Sequence, residues 1–199
     1  MINKNFRIAK ELNEVKILNI LRKEGPISRT ELAKRTNITK VTIAEILKRL
    51  GNDGFIDEAG KGESTKKGGK KPKLVKLNPH KGYVVGIEFK RTKARLAIAT
   101  IEAEILYQGE FEYQLGSSLN SVLKKTYQFI DKALEKLKIN HEKLISIGVG
   151  VPGFIDYENG ELIYADTMKG WERKPLSAKL SQRYKVPVIM ENDVNMVAI

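Results

Sequence analysis

The stretch from Ser28 to Leu50, SRTELAKRTNITKVTIAEILKRL, predicts two short helices joined by a tight turn. Ser28 is a good N-cap, and Glu31 three residues later completes a capping box for the first helix. Asn37 tolerates left-handed backbone angles, so it predicts the turn, and Thr39 caps the second helix. The inward face of that helix is predicted from apolar residues at helical spacing: Ile43, Ile46, Leu47 and Leu50.

This arrangement is typical of a DNA-binding helix-turn-helix, whose second helix presents its N-terminal residues to base edges in the major groove. The predicted outward face of the second helix carries Lys40, Thr42, Glu45 and Arg49, with Lys48 at its margin. A solvated helical hairpin is the alternative, because lysine-rich outer faces are common. The predicted DNA-binding residues of this segment are Ser28, Arg29, Thr39, Lys40, Thr42 and Arg49.

The positive charge of the chain is concentrated in its first part. The net charge is +12 over 199 residues. Residues 1–82 hold 20 Lys and Arg against 9 Asp and Glu, whereas residues 83–199 hold 16 against 15. This asymmetry predicts a nucleic-acid-binding module joined to a near-neutral one. A basic membrane-surface segment is disfavoured, because the first part has compact helix and turn signals instead of one long amphipathic helix.

A predicted hairpin follows the helix pair. An apolar helix over Glu14–Lys23 precedes the pair, and Phe55-Ile56 and Leu74–Leu77 after it have strand character. Three helices and a hairpin predict a winged helix-turn-helix domain over residues 1–78. At the base of the wing we predict minor-groove contact, because glycines permit close approach and lysines meet the negative potential there. These wing residues are Gly69, Lys70 and Lys71, for which a solvated loop is the alternative.

The composition shifts after the linker Asn78–Gly82, and residues 79–199 predict a second, α/β domain. Its predicted strands are Tyr83–Phe89, Ala94–Thr100, Ile101–Tyr107, Glu110–Tyr113, Leu144–Val151, Leu162–Tyr164 and Val186–Met190. Its predicted helices are Leu119–Leu137 and Leu176–Tyr184. Trp171 is predicted to pack in the core rather than to stack on a ligand.

Several strings in this order resemble the ROK family (repressors, open reading frames and sugar kinases), and within it the xylose- and N-acetylglucosamine-repressor type. They are GPISRTELA at 25–33, GGKKP at 68–72, IGVGVPGFID at 147–156, Gly170-Trp171 and PVIMENDVN at 187–195. The resemblance implies a sugar-responsive DNA-binding regulator, a repressor of carbohydrate-utilisation genes. It also implies an actin-like ATPase fold after the winged helix, of which this chain holds only the N-terminal half.

The resemblance implies a sugar site formed by Gly153, Thr167, Asn192 and Asp193. A carboxylate beside an amide gives sugar hydroxyls acceptors and donors fixed in direction, and Gly153 would let backbone approach the sugar. Many family members carry asparagine where this chain has Thr167, whose hydroxyl side chain is shorter. A turn or helix cap is the alternative for Asn192-Asp193.

The resemblance also bears on catalysis. Family kinases carry Asp-x-Gly-Gly-Thr at a hairpin whose backbone N–H groups face the ATP phosphates. This chain has Glu88-Phe89-Lys90-Arg91-Thr92, so two large side chains replace both glycines. We therefore predict no enzyme activity and no catalytic residue. The alternatives are an ATP-dependent hexose kinase with Asp193 as general base, and a truncated DNA binder without a ligand.

The predicted partners are double-stranded operator DNA, a small sugar effector and further copies of the chain in a homodimer or higher oligomer. We expect a cytoplasmic protein without membrane contact, since no apolar run is long enough to span a bilayer. No metal or cofactor is expected within these residues, because there is no cysteine and the family's zinc site would lie beyond residue 199. The chain is expected to be either a fragment or a naturally truncated protein.

Overall fold

The computed structural model describes residues 2–63 and 71–193, with side chains from residue 11 on. It divides into two units, Met1–Lys81 and Gly82–Ile199, whereas the sequence places the boundary after Asn78. The later division has a physical reason. The backbone N–H of Asn78 donates to the Phe55 carbonyl at 2.9 Å, and the Lys81 ammonium lies 5.4 Å from the centre of the Phe55 ring. These contacts attach the short 3-10 helix Pro79–Lys81 in the linker to the first unit.

The first unit consists of helices and a small sheet. Its elements are α1 (Ile2–Glu24), β1 (Ile27–Ser28), α2 (Arg29–Thr36), α3 (Lys40–Asn52), β2 (Ile56–Lys61) and β3 (Lys73–Leu77). The sheet order is β1-β3-β2, and both pairings are antiparallel. The fully buried core residues come from all three helices and include Ile17, Leu21, Leu32, Ile43 and Leu50. Each helix therefore buries one apolar face in a shared core.

Sequence patterns alone predicted the bounds of the helices and strands in this unit imperfectly. The helix α1 includes the predicted apolar helix Glu14–Lys23 and also residues 2–12, for which the sequence left a helix or partial disorder open. The two-residue strand β1 went undetected. It pairs Ile27 with Val75 of β3, a contact between positions far apart in the chain. Gly51 lies inside α3 and does not end it, whereas Gly54 adopts a positive φ of 76° just after the helix.

The second unit is built on a five-stranded sheet. Its elements are β4 (Tyr83–Phe89), β5 (Lys93–Thr100), β6 (Ile105–Glu112), α4 (Leu119–Lys136), β7 (Leu144–Val151), β8 (Phe154–Asp156), β9 (Glu161–Tyr164), α5 (Leu176–Tyr184) and β10 (Val188–Asn192). The strand order is β10-β7-β4-β5-β6. Three strands form an antiparallel meander, and β7 and β10 add to it in parallel. A separate hairpin joins β8 to β9.

Alternation along the strands positions the core of this unit on one face of the sheet. In β4 the buried side chains are Tyr83, Val85, Ile87 and Phe89, and the residues between them are partly exposed. The amphipathic α4 buries its apolar stripe in the same cluster. The opposite face carries small and polar residues such as Gly86, Glu88 and Ala97, which leave space above the sheet.

Two predicted strands of the second unit were wrong. Ile101–Tyr107 and Glu110–Tyr113 are in fact one strand, β6, preceded by a tight turn in which Ala103 adopts a positive φ of 66°. The strand β8 was missed, since three residues give too little alternation to detect. The predicted fold class is confirmed: a winged helix-turn-helix precedes an α/β portion with the strand order β10-β7-β4-β5-β6.

Candidate nucleic-acid interface and ligand site

The helix α2 begins with the predicted cap. Ser28 has extended backbone angles, and its Oγ accepts a hydrogen bond from the backbone N–H of Glu31 at 3.2 Å. Arg29 is the first residue of the helix and is exposed. A serine hydroxyl that accepts one hydrogen bond still has its own hydrogen to donate. Ser28 and Arg29 thus bring a hydroxyl and a guanidinium together at a helix N-terminus, where anions are favoured.

The turn between α2 and α3 depends on Asn37 and Thr36. Asn37 adopts left-handed angles, φ 57° and ψ 28°, which asparagine tolerates better than most residues. The Thr36 hydroxyl donates to the Leu32 carbonyl at 2.7 Å and accepts from the Ile38 N–H at 3.3 Å. These bonds satisfy backbone groups at the end of α2 and fix the direction in which α3 leaves the turn.

The first turn of α3 brings three of the predicted DNA-binding residues together. The Oγ1 of Thr39 accepts from the backbone N–H of Thr42 at 3.2 Å, and the two hydroxyl oxygens lie 3.0 Å apart. Lys40 follows the cap and is exposed. Only one of the two threonine hydroxyls donates in their mutual bond, so the other has a hydrogen for an outside acceptor. The site combines hydroxyl and ammonium donors at one helix end.

Arg49 does not lie with these residues. It is two turns further along α3, and its guanidinium pairs with the carboxylate of Glu14 on α1. The pair is partly buried, with 34% and 26% of the respective side chains exposed. A base contact by Arg49 requires this ion pair to open. The contact predicted from the sequence therefore competes with a contact that joins two helices of the core.

The solvent-facing ridge of α3 is formed by Val41, Glu45 and Lys48, which are all exposed. The outward face predicted from the sequence was rotated towards Thr42 and Arg49, which are only partly exposed. Val41 was assigned to neither face, because the outward face was built from charged and polar residues alone. Its position opposite the buried side of the helix was the available signal, since Val41, Glu45 and Lys48 follow the helical spacing i, i+4, i+7.

The wing is described only in part. The strands β2 and β3 pair as far as Lys61 and Lys73, and the Gly62 N–H donates to the Pro72 carbonyl at 2.8 Å. Lys71 is exposed next to this end of the hairpin. Gly69 and Lys70 lie outside the described residues, so their predicted minor-groove contacts stay predictions.

In the second unit, the hairpin between β4 and β5 forms without glycine. Both Lys90 and Arg91 have ordinary negative φ angles, and the Lys90 N–H donates to the Lys93 carbonyl at 2.8 Å. The carboxylate of Glu88 lies 3.2 Å from the Lys90 ammonium and 3.6 Å from the Arg95 guanidinium. The acidic side chain at this hairpin is thus paired with cations of its own chain.

Tyr113 attaches to the same hairpin. Its hydroxyl donates to the Lys90 carbonyl, and its backbone N–H donates to the Thr92 carbonyl at 2.8 Å. Burial raises the pKa of the Tyr113 hydroxyl, which therefore stays protonated as a donor. The hairpin is held in its present shape by a buried aromatic residue.

Asn192 and Gly153 are brought together, as the sugar-site prediction requires. The side-chain amide of Asn192, the last residue of β10, donates to the Gly153 carbonyl at 2.6 Å. Gly153 has a φ of 105°, and a Cβ there would lie 2.1 Å from the Tyr164 carbonyl oxygen. Glycine is therefore required by the close approach of the hairpin strand β9.

Thr167 lies in a different place from Asp193. It lines a cavity of about 250 Å³ together with Arg91, Ser117 and Asp166. Trp171 forms one wall of that cavity but is almost fully buried, and its Nε1 donates to the Ser117 carbonyl at 3.0 Å. Its ring packs edge-on against Phe89, with 5.3 Å between centres. Trp171 is thus a packing residue, as predicted.

Asp193 lines a larger cavity, of about 570 Å³, on the open face of the sheet. Glu88, Arg95 and Glu110 line it as well. Hydrogen bonds from Lys93 and from Arg95 hold the pKa of Glu110 below its ordinary value. The cavity offers acceptors and donors at fixed positions, which suits a polyhydroxylated ligand.

Within residues 2–63 and 71–193, no group of three or more His, Asp or Glu side chains is arranged to hold a metal ion. The search for membrane spans, restricted to the same residues, finds no helix with the length and apolar character needed to cross a bilayer.

Two family models match the chain. The model described as ROK family matches residues 84–199, which is more than half of the chain. The model described as winged helix-turn-helix DNA-binding matches residues 11–57. Each match falls within one of the two structural units.

Curated relatives match across both units. The xylose repressor of Caldicellulosiruptor bescii is 27% identical over 195 residues, covering 98% of this chain and 48% of the relative. The xylose repressor of Bacillus subtilis is 26% identical, with coverages of 94% and 47%. The DNA-binding transcriptional dual regulator NagC of Escherichia coli is 24% identical, with coverages of 98% and 47%. The chain spans about half the length of these relatives.

Solved structures support the fold. The crystal structure of a ROK family transcriptional regulator, a homologue of the Escherichia coli MLC protein, superposes with a TM-score of 0.72 at 20% identity. The match covers 93% of this chain and 46% of that one. A ROK family glucokinase from Streptomyces griseus superposes with a TM-score of 0.50 at 23% identity, covering 59% and 35%. With the match of the family model over 84–199, these findings confirm the predicted resemblance: the chain belongs to the ROK family.

Proposed function

We propose that this chain is a sugar-responsive DNA-binding regulator that represses carbohydrate-utilisation genes. The observation that carries the proposal is a winged helix with an exposed, hydroxyl- and lysine-bearing α3 N-terminus on the same polypeptide as a ROK unit. Relatives named xylose repressor and NagC support it, since they match over nearly the whole chain. The concentration of positive charge in residues 1–82 supports duplex DNA as the partner.

In this proposal α3 enters the major groove with its N-terminal turn. Lys40 and whichever of the Thr39 and Thr42 hydroxyls does not donate in their mutual bond donate to base edges and nearby phosphates, while Ser28 and Arg29 bind a phosphate at the start of α2. Arg49 acts indirectly, because its pairing with Glu14 fixes the angle of α3 on α1.

Two copies of the chain bind two half-sites, since operators usually mirror the two-fold symmetry of a dimer. Wing contacts in the minor groove come from Gly69, Lys70 and Lys71.

The sugar binds where β10 ends. Asp193 lines the larger cavity and accepts hydrogen bonds from sugar hydroxyls, and Asn192 holds the Gly153 turn in place beside it. A contact from Thr167 remains part of the proposal, although that residue lines the smaller cavity. Sugar must bind the DNA-bound and free arrangements unequally, because only differential affinity shifts such an equilibrium.

The chain acts without phosphoryl transfer. Phosphoryl transfer needs backbone N–H groups and metal ions close to the phosphates. The Lys90 and Arg91 side chains occupy the hairpin where family kinases have glycines, and Glu88 is paired with Lys90 and Arg95. These features favour a regulator over the alternative hexose kinase.

A gel-shift assay on the DNA upstream of the protein's own gene tests the proposal. We expect the full chain to retard this duplex, and one sugar among xylose, glucose and N-acetylglucosamine to reverse the shift. Asp193→Asn should retain DNA binding and lose the response to sugar, because the substitution removes an acceptor without touching the first unit. Absence of a specific shift rules out the DNA-binding role. A shift unaffected by every sugar rules out the sensing role for this panel and favours the ligand-independent binder.

A further inference from the structure

The ridge of α3 has an unusual composition for a surface that meets DNA. Val41 is 69% exposed, the highest exposure of any large apolar side chain in the described part of the first unit. Glu45, one turn later, is an exposed acid in a strongly basic segment. An exposed valine gains nothing from burial and is a weaker helix former than alanine or lysine. Neither residue contributes to phosphate attraction.

The major groove offers a partner for each of these side chains. The C5-methyl group of thymine is an apolar surface there, and the N4 amino group of cytosine is a donor that a carboxylate accepts. Guanine presents only acceptors at N7 and O6 in that groove, which a carboxylate disfavours. Both residues lie in the first half of α3, the part of a recognition helix that contacts base edges.

We propose that Val41 and Glu45 determine the sequence of the half-site, Val41 by packing on a thymine methyl group and Glu45 by accepting a hydrogen bond from a cytosine amino group. This inference rests on the proposed DNA-binding function. The two side chains are separated by about 6 Å along the helix axis, which corresponds to roughly two base-pair steps of about 3.4 Å. Lys48, another turn further, binds phosphate at the edge of the groove.

Selection from a randomised duplex library tests the role of Glu45. With the full wild-type chain we expect enriched half-sites that contain a cytosine about two steps from a thymine. Glu45→Gln should switch that position from cytosine to adenine by about tenfold, because glutamine bonds bidentately to adenine N6 and N7. The matched control is Glu135→Gln on α4, which makes the same charge change on an exposed helix of the second unit. It should leave the selected sequence unchanged.

Replacing the selected thymine by uracil tests the role of Val41, since uracil lacks only the methyl group. We expect the wild-type chain to bind the uracil duplex about fourfold more weakly, the value for one buried methyl-sized group. Val41→Ala should bind both duplexes equally. The control is Val15→Ala, an exposed valine on α1 with 52% exposure, which should keep the discrimination.

The outcomes separate this inference from the function on which it rests. A wild-type chain that enriches no duplex overturns both. A wild-type chain that enriches a defined half-site, with Glu45→Gln selecting the same bases and Val41→Ala still discriminating thymine from uracil, overturns the inference alone. Circular dichroism of each variant verifies that the fold is intact, as expected for exposed positions.

Discussion

At the scale of single residues, the requirement for glycine at position 153 could be predicted from the sequence only in part. From the resemblance, Gly153 was expected to let backbone approach a sugar, and in the structure it adopts a φ of 105°. The structure gives a nearer cause, because the backbone of Tyr164 in β9 occupies the space of a Cβ. That strand pairing joins residues five to ten positions apart and leaves no local pattern at Gly153 itself.

Gly153→Ala should lower the free energy of unfolding of the second unit by about 3 kcal/mol, since strain from the positive φ adds to overpacking. Fluorescence of Trp171, the only tryptophan and a buried residue of this unit, follows the unfolding by urea. Gly116→Ala is the matched control, because its φ is 79° but nothing lies within 4 Å of its Cβ. Equal losses for both variants would show that the clash with β9 is unimportant.

Two substitutions of Thr39 distinguish its role as a helix cap from its proposed contact with DNA. Thr39→Ala should destabilise the first unit by about 1 kcal/mol through loss of the cap, and it should weaken DNA binding. Thr39→Asp should leave the stability of the first unit unchanged, since aspartate caps a helix as well as threonine does. It should weaken DNA binding, because the carboxylate and the DNA phosphates are both negative and repel each other. Circular dichroism gives the stability and a gel shift gives the affinity. Wild-type affinity in Thr39→Asp would remove the start of α3 from the interface.

At the scale of elements, the sequence predicted the features that depend on residues close together in the chain. The caps of α2 and α3, the limits of β4, β7 and α5, and the buried face of α3 all follow from patterns within one element. The orientation of α3 on α1 cannot be predicted from such local patterns, because its ion-pair partners Arg49 and Glu14 are 35 positions apart. For the same reason the four predicted sugar residues were treated as one site, although Thr167 and Asp193 line different cavities.

A double-mutant cycle of Glu14→Gln and Arg49→Met measures the link between α1 and α3. We expect a coupling energy of about 0.5 to 1 kcal/mol in urea unfolding, as for other partly exposed ion pairs. Both single variants should weaken DNA binding equally, because each releases α3 from its fixed angle. Arg49 would be a direct DNA contact instead if Arg49→Met alone weakened binding and Glu14→Gln did not.

At the scale of the whole molecule, the two units differ in charge, with most of the net positive charge in the first. The basic unit carries the features of a duplex-binding surface, and the ROK unit has a cavity over β4, β5 and β6, lined also by Asp193, and a β4–β5 hairpin that lacks glycine. The charge asymmetry and the motif order predicted this division from the sequence. The pairing of Glu88 with Lys90 and Arg95 was not predictable in detail, because it depends on the register between β4 and β5.

Incubation with ATP, Mg²⁺ and a panel of xylose, glucose and N-acetylglucosamine should yield no sugar phosphate above the uncatalysed background. The reason is that Lys90 and Arg91 stand where family kinases carry glycines, so their large side chains are expected to keep the hairpin backbone away from the phosphates. Mass spectrometry of the products is the measurement. Sugar phosphate formed by the wild-type chain and lost in Asp193→Asn would support the kinase alternative.

The most direct measurement of the central claim is the salt dependence of binding to the upstream duplex, followed by fluorescence anisotropy between about 50 and 200 mM salt. Side chains at the start of α2, along α3 and in the wing are expected to neutralise about four or five phosphates. The logarithm of the affinity should therefore fall with the logarithm of the salt concentration with a slope of about −4. A slope near zero, or no binding at the lowest salt, would contradict a cationic winged helix that binds duplex DNA.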